Sequence, residues 1–212
     1  MKAAASFQAG GANFEPSDGH NSTAERAAKT GLWILIGVLT VLFTLLLLAY
    51  VIRMSDGDWR PVTMPWQLWM NTGVLILGSI VLQHTATLLR RPRPSRLRAS
   101  FLLSGACGLG FVAGQLWAWQ RLIALNHPVA ANPANSFFYL LTGLHGVHVI
   151  AGLVVLAWGT ALAWRYPGTR RAQLYVSLCA RYWHFVLAVW LVLFSAMLWI
   201  TPEIARNLCG AS

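Results

Sequence analysis

The run Phe137-Phe138-Tyr139-Leu140-Leu141-Thr142-Gly143-Leu144-His145-Gly146-Val147-His148-Val149-Ile150-Ala151-Gly152 decides the fold class. It sets two histidines among glycines inside a stretch that continues, without a charge, from Ser136 to Trp164. As a helix, such a stretch is long enough to cross the hydrocarbon of a bilayer, which takes about 20 apolar residues. His145 and His148 are three residues apart, a turn of about 300°, so they leave the helix from nearly the same face. They can address one neighbouring helix or one lipid headgroup.

The rest of the chain has the same character. Of 212 residues, 57% are hydrophobic and only 10% charged, whereas soluble domains carry about 25% charged residues. The charges cluster and leave five windows of spanning length: Gly31 to Ile52, Trp66 to Leu89, Ala99 to Gln120, Ser136 to Trp164, and Val176 to Ile200 with Arg181 inside its start. The expected fold is therefore all-α, a polytopic membrane bundle of five transmembrane helices over residues 31–201. Residues 1–30 lack the apolar core and cleavage site of a signal peptide and are expected to form a flexible cytoplasmic tail, with Ala24 to Lys29 as a short interfacial helix. Residues 202–212 are expected to be a short periplasmic tail.

Orientation follows from the cations. Lys2, Arg26, Lys29, Arg90, Arg91, Arg93, Arg96, Arg98, Arg165, Arg170, Arg171 and Arg181 fall on one side of a five-span chain, and only Arg53, Arg60, Arg121 and Arg206 on the other. The positive-inside rule places the N-terminus in the cytoplasm and the C-terminus outside. The net charge of +10 then reports topology and contact with anionic lipid, not nucleic-acid binding. External Asp56, Asp58 and Trp59 read as a solvated loop.

Polar and small residues inside the spans point to a tightly packed bundle. Gly110 and Gly114 form a small-xxx-small pair that lets helix backbones approach. Asn71, Thr72, Ser79, Gln83, His84, Thr85 and Thr87 put too many uncharged polar groups on the second span for a helix bathed in lipid, so they should face neighbours. Tyr182 and Trp183 read as an interfacial aromatic belt, and Trp190, near mid-membrane, as packed into a protein groove. Cys107 and Cys179 read as small apolar fillers. A bis-histidine haem needs ligands at matching depth on facing helices; His145 and His148 do not match His184, and only His84 with His184 meets the condition. Haem or metal ligation is accordingly the weaker reading. The six acidic residues, Glu15, Asp18, Glu25, Asp56, Asp58 and Glu203, lie outside the spans, which leaves no intramembrane carboxylate for a proton relay. No nucleophile motif or phosphate-binding loop is present.

Phe137 to Gly152, followed by Tyr182-Trp183-His184-Phe185-Val186 and Val189-Trp190-Leu191, closely resembles the paired signatures of subunit III of haem-copper terminal oxidases, the cytochrome c oxidase subunit 3 family. Lys29-Thr30-Gly31-Leu32-Trp33 and Leu68-Trp69-Met70-Asn71-Thr72 extend the likeness, and five spans match the family's short form. The resemblance implies an accessory, haem-free subunit in a bacterial inner membrane. Such a subunit would pack beside catalytic subunit I, bind phospholipid, and support oxygen reduction and proton pumping by partners that hold the haem and copper. It also implies lipid contact or helix packing for Glu25, Arg26, Asn71, His145, His148, Tyr182, Trp183, His184 and Trp190. Two positions depart from the family pattern: carboxylates are usual about where Val38 and Leu39 stand, and where Leu187 stands. The accessory subunit of nitric oxide reductases carries the same signatures and is the alternative within the class; a haem-binding membrane cytochrome is the alternative outside it.

Overall fold

The computed structural model describes residues 17–56, 58–60, 64–88, 94–125, 128–129, 132–165 and 169–209, and these form helices and short connections without a strand. The helices are α1 (Ser17–Met54), α2 (Gln67–Leu88), α3 (Pro94–Ala124), α4 (Pro133–Arg165), α5 (Arg170–Trp199) and the short α6 (Pro202–Cys209). Their starts are written in the sequence. Proline opens α3, α4 and α6, where its missing N–H costs nothing. The Asn132 side chain accepts from the Ala134 N–H at 2.8 Å, and the Thr169 hydroxyl accepts from the Ala172 N–H at 3.3 Å as the N-cap of α5, each satisfying an orphan donor.

Four of these helices, α1, α3, α4 and α5, are long and apolar enough to cross a membrane. The second expected span, α2, has 22 residues, about 33 Å of helix, but its polar groups dilute its apolar character. Those groups are largely hidden: Gln67, Asn71, Thr72, Ser79 and Thr85 are all buried, while Gln83 and His84 are exposed.

α2 packs on α3 and α5, α3 on α4, and α4 on α5, which closes a four-helix ring. α1 lies outside it, against α4, α5 and α6. Only 11% of the most apolar stretch of α1 is buried, against 44% in α5, so most of α1 faces the surroundings. Its outward side, with Trp33, Val38, Val41, Leu45 and Leu48 exposed, suits hydrocarbon and not water.

Three local findings differ from the sequence reading. Residues 17–30 are not a separate segment: α1 runs unbroken from Ser17, because Ala24 to Lys29 are good helix formers with no breaker before the apolar run. The Glu25–Lys29 pair at 2.7 Å reinforces that turn, and Glu25 also meets Arg170 at the start of α5 at 3.3 Å. Residues 1–16 lie outside the described part of the chain. The stretch after Ile200 is helical, with α6 folded back on α1. Trp59 is buried, its ring 5.2 Å from Tyr50 and 6.3 Å from Phe137; a large apolar ring beside two others gains more by packing than by solvation. Asp56 and Asp58 do stay exposed, both paired with Arg53 at 2.8 and 2.7 Å.

Candidate functional site

His145 sits at the centre of the bundle. It is fully buried, with Phe43 of α1 at 6.4 Å, Phe111 of α3 at 5.6 Å and Trp190 of α5 at 5.1 Å between ring centroids. Neither ring nitrogen has a hydrogen-bond partner among the described residues. Rings from three other helices therefore close on one imidazole, and aromatic edges and faces supply its contacts.

His148, one turn further, is half-buried. Its Nδ1–H donates to the Leu144 carbonyl at 2.7 Å, and its ring lies 5.4 Å from Phe43. The Tyr182 hydroxyl donates to the His148 carbonyl at 3.1 Å, which ties α5 to α4. The two histidines thus share a helix face, yet one is sealed in the core and the other lies towards the α1 seam.

Trp190 donates from Nε1 to the Thr72 hydroxyl at 2.9 Å, and Thr72 donates onward to the Leu68 carbonyl at 2.8 Å. The same device recurs between α3 and α4, where Trp119 Nε1 donates to Thr142 at 3.1 Å and Thr142 to the Phe138 carbonyl at 2.7 Å. Each threonine accepts from an indole while bonding its own helix, so an apolar ring is fixed without stranding a polar atom.

Trp183 is buried, at 2% exposure, not at an interface. It fills a slot bounded by Gly78, Gly108 and Gly152, from α2, α3 and α4. A Cβ on Gly108 would stand 2.6 Å from the Trp183 ring, so that indole needs a glycine there. Asn71 occupies the comparable position against Gly114 and donates from Nδ2 to Gln115 Oε1 at 3.2 Å, joining α2 to α3.

His184 is exposed but engaged. Gln83 Oε1 accepts from Nε2 at 3.0 Å, and the Ser79 hydroxyl meets Nδ1. The tautomer protonated on Nε2 satisfies both. His184 thus addresses Ser79 and Gln83, not His84. Among the described residues no group of three or more His, Cys, Asp or Glu side chains is placed to hold a metal ion. Glu25 reaches Arg170 and Lys29; Arg26 is exposed beside it.

Of the residues singled out from sequence, Asn71, His145, Tyr182, Trp183 and Trp190 are buried within the bundle, and Glu25, Arg26 and His184 lie at its surface. Sequence reasoning missed Phe43, Phe111, Gln115, Trp119 and Thr142 as their partners. The usable signal was the spacing Gln115-x-x-x-Trp119, an amide and an indole on one face of an otherwise apolar span.

Comparison with known proteins gives a uniform result. The family model described as Cytochrome c oxidase subunit III matches residues 15–201. The chain is 28% identical over 177 residues to "Cytochrome c oxidase subunit 3" of Thermostichus vulcanus, covering 81% of this chain and 86% of that one. It is 31% identical over 152 residues to "Probable cytochrome c oxidase subunit 3" of Mycobacterium tuberculosis (strain ATCC 25618 / H37Rv), covering 69% and 73%. It is 26% identical over 194 residues to "Cytochrome c oxidase subunit 3" of Bacillus sp. (strain PS3), covering 87% and 91%.

Proposed function

The chain belongs to the cytochrome c oxidase subunit III family, and on that premise we propose that it packs beside catalytic subunit I in a bacterial inner membrane and supports oxygen reduction and proton pumping mechanically. It is a membrane-embedded accessory subunit of an oxidase complex, in a family whose members carry no haem. The observation that carries the mechanical reading is where the signature residues lie. Asn71, His145, Trp183 and Trp190 are each 2% exposed or less, and they bond or pack to other helices of the same chain. Residues so enclosed cannot hold a lipid headgroup; they set the distances between helices. A rigid bundle of fixed outline is what a partner with buried redox centres needs at its flank.

The proposed topology has five spans, with the N-terminus in the cytoplasm and the C-terminus in the periplasm. It counts α2 as a span because its length suffices, it carries no charge, and its polar groups are shielded by α3 and α5. The Glu25–Arg170 pair supports placing the beginnings of α1 and α5 on the same side.

The test is to tag the chain in its native membrane, extract it in mild detergent, and record the redox spectrum, the co-purifying proteins and the gas consumed. Haem signals with a subunit I partner and oxygen uptake are the expected result. A nitric oxide reductase core in their place would transfer the accessory role to that enzyme, and a haem band from this chain expressed alone would overturn the haem-free assignment.

A further inference from the structure

One cross-section of the four-helix ring carries a polar side chain from each helix. Trp190 of α5 donates to Thr72 of α2 at 2.9 Å, Asn71 of α2 donates to Gln115 of α3 at 3.2 Å, and the Trp190 ring lies 5.1 Å from that of His145 on α4. Gln115 and His145 stand at one level of two helices in contact. Phe111, one turn before Gln115, lies 5.6 Å from His145, and Trp119, one turn after it, donates to Thr142, three residues before His145. Gln115 falls between those two contacts on the same face of α3. Both side chains are buried, at 3% and 0% exposure. Both also carry unmet polar atoms: among the described residues nothing bonds Gln115 Nε2 or either ring nitrogen of His145.

The two deficits are complementary. Gln115 Oε1 already accepts from Asn71, so what the amide still has to give is the N–H of Nε2. A neutral imidazole has one N–H and one lone pair. The N–H can point at the negative face of Phe111 or Trp190, whereas the lone pair gains nothing from a ring face and needs a donor. No direct bond joins Gln115 to His145, so the donor and the acceptor stand at one level but further apart than a hydrogen bond reaches. Space adjoins them. Gly146 shares a face of α4 with Gly143, whose Cβ would touch the Trp119 ring of α3 at 3.3 Å, and a Cβ on Gly146 itself would meet nothing within 4 Å. We propose that one water molecule is bound between α3 and α4 at this level, accepting from Gln115 Nε2 and donating to the unprotonated nitrogen of His145. Water fits where an ion does not: Asn71, Thr72, Gln115 and Trp190 carry no charge to balance one, and a buried charge without a partner is costly. A buried water holds its place through two to four bonds to otherwise unmet polar groups, and this one closes a chain from Asn71 through Gln115 to His145 across three helices.

The test is an electron cryomicroscopy map, at a resolution that shows ordered water, of the full chain in nanodiscs together with the subunits that co-purify. The expected result is one discrete peak within about 2.7–3.2 Å of both Gln115 Nε2 and a ring nitrogen of His145. Gln115→Met keeps the length of the side chain and removes the donor, so the peak should be lost. Gly110→Ala, on the same helix but in ordinary contact with Val74 only, should keep it. A wild-type map without the peak, a direct bond between Gln115 and His145, or a peak that survives Gln115→Met each overturns the proposal. The wild-type map decides by itself where the variant does not fold. The site lies wholly within this chain, so its outcome is independent of which enzyme the chain assists.

Discussion

An alanine at Gly114 puts a methyl group into the space that Asn71 fills. Its Cβ would lie 3.0 Å from Asn71 Cγ and 3.3 Å from Nδ2, and nearer still to Oδ1. Asn71 cannot swing away freely, since it is buried and bonded to Gln115. Either that bond breaks, costing about 0.6 kcal/mol on average in a membrane, or α2 and α3 part, an overpacking cost of about 1–3 kcal/mol. The helix propensity of alanine over glycine returns about 0.8–1 kcal/mol. The net expectation for Gly114→Ala, with α2 and α3 forced apart, is a loss of up to roughly 2 kcal/mol.

Gly110, the other half of the small-xxx-small pair, behaves differently. A Cβ there meets only Val74 Cγ1 at 3.7 Å, an ordinary contact, so Gly110→Ala should be neutral or stabilising by up to about 1 kcal/mol. Denaturant titration of the detergent-purified protein, followed by tryptophan fluorescence, separates the two signs. Adding Asn71→Ala to Gly114→Ala should relieve the clash, so that the pair costs less than the sum of its single variants. Equal losses at Gly110 and Gly114, or strict additivity with Asn71→Ala, would refute the reasoning.

Further outcomes follow from other contacts. Trp190→Phe and Thr72→Val should couple by about 0.6 kcal/mol, and at most about 1.7, in a double-mutant cycle; zero coupling would mean that the indole bond contributes nothing. The hydrogen bond from Arg53 holds the Asp58 carboxyl below its ordinary value of 3.8. Its contribution is therefore present above that value and lost as pH falls through the lowered one. Both groups meet water, so the effect is small: wild type should melt slightly above Asp58→Asn at neutral pH and match it in strong acid, and the opposite order would contradict the sign. With Cys209→Ser as background, a cysteine at Asp58 should react with a membrane-impermeant thiol reagent in intact spheroplasts, and one at Arg165 only after permeabilisation. Labelling in the reverse order would invert the proposed topology.

How much of this was legible in the sequence depends on which force wrote each feature. Burial in hydrocarbon leaves charge-free runs, so α1, α3, α4 and α5 could be read directly. Helix ends obey backbone chemistry and not the bilayer edge, which is why α1 begins at Ser17 while its apolar run begins near Gly31. The polar groups of α2 announced that they face neighbours, and Asn71, Thr72 and Ser79 do. What one sequence cannot encode locally is the partner across the bundle. His145 and His148 share a face by spacing, yet only the arrangement of Phe43, Phe111 and Trp190 seals one and leaves the other half-buried. Trp183 was misplaced for the same reason: a tryptophan near a helix start reads as an anchor until glycines on three other helices are seen to hollow out its slot.

The positions that depart from the family pattern bear on how this chain can assist its partners. Leu39 is 5% exposed and packs in the core, and Leu187 is partly buried against it, whereas Val38 faces outward. Nearby, α1 and α5 leave a groove of about 220 Å³ lined by Thr40, Phe43, Thr44, Phe185, Val189 and Val192 among others, with no ionisable side chain in its lining. A carboxylate at Leu39 would enter an apolar seam and cost several kcal/mol unless protonated or paired. Leucine therefore suits this seam, whose lining offers no ionisable side chain. The proposed route is mechanical. A closed ring is locked by two Trp–Thr staples and the Asn71–Gln115 bond, with α1 attached along one side. If the proposed reading holds, the chain's influence on a partner subunit should scale with the integrity of those interhelical bonds and not with the titration of any residue inside the membrane.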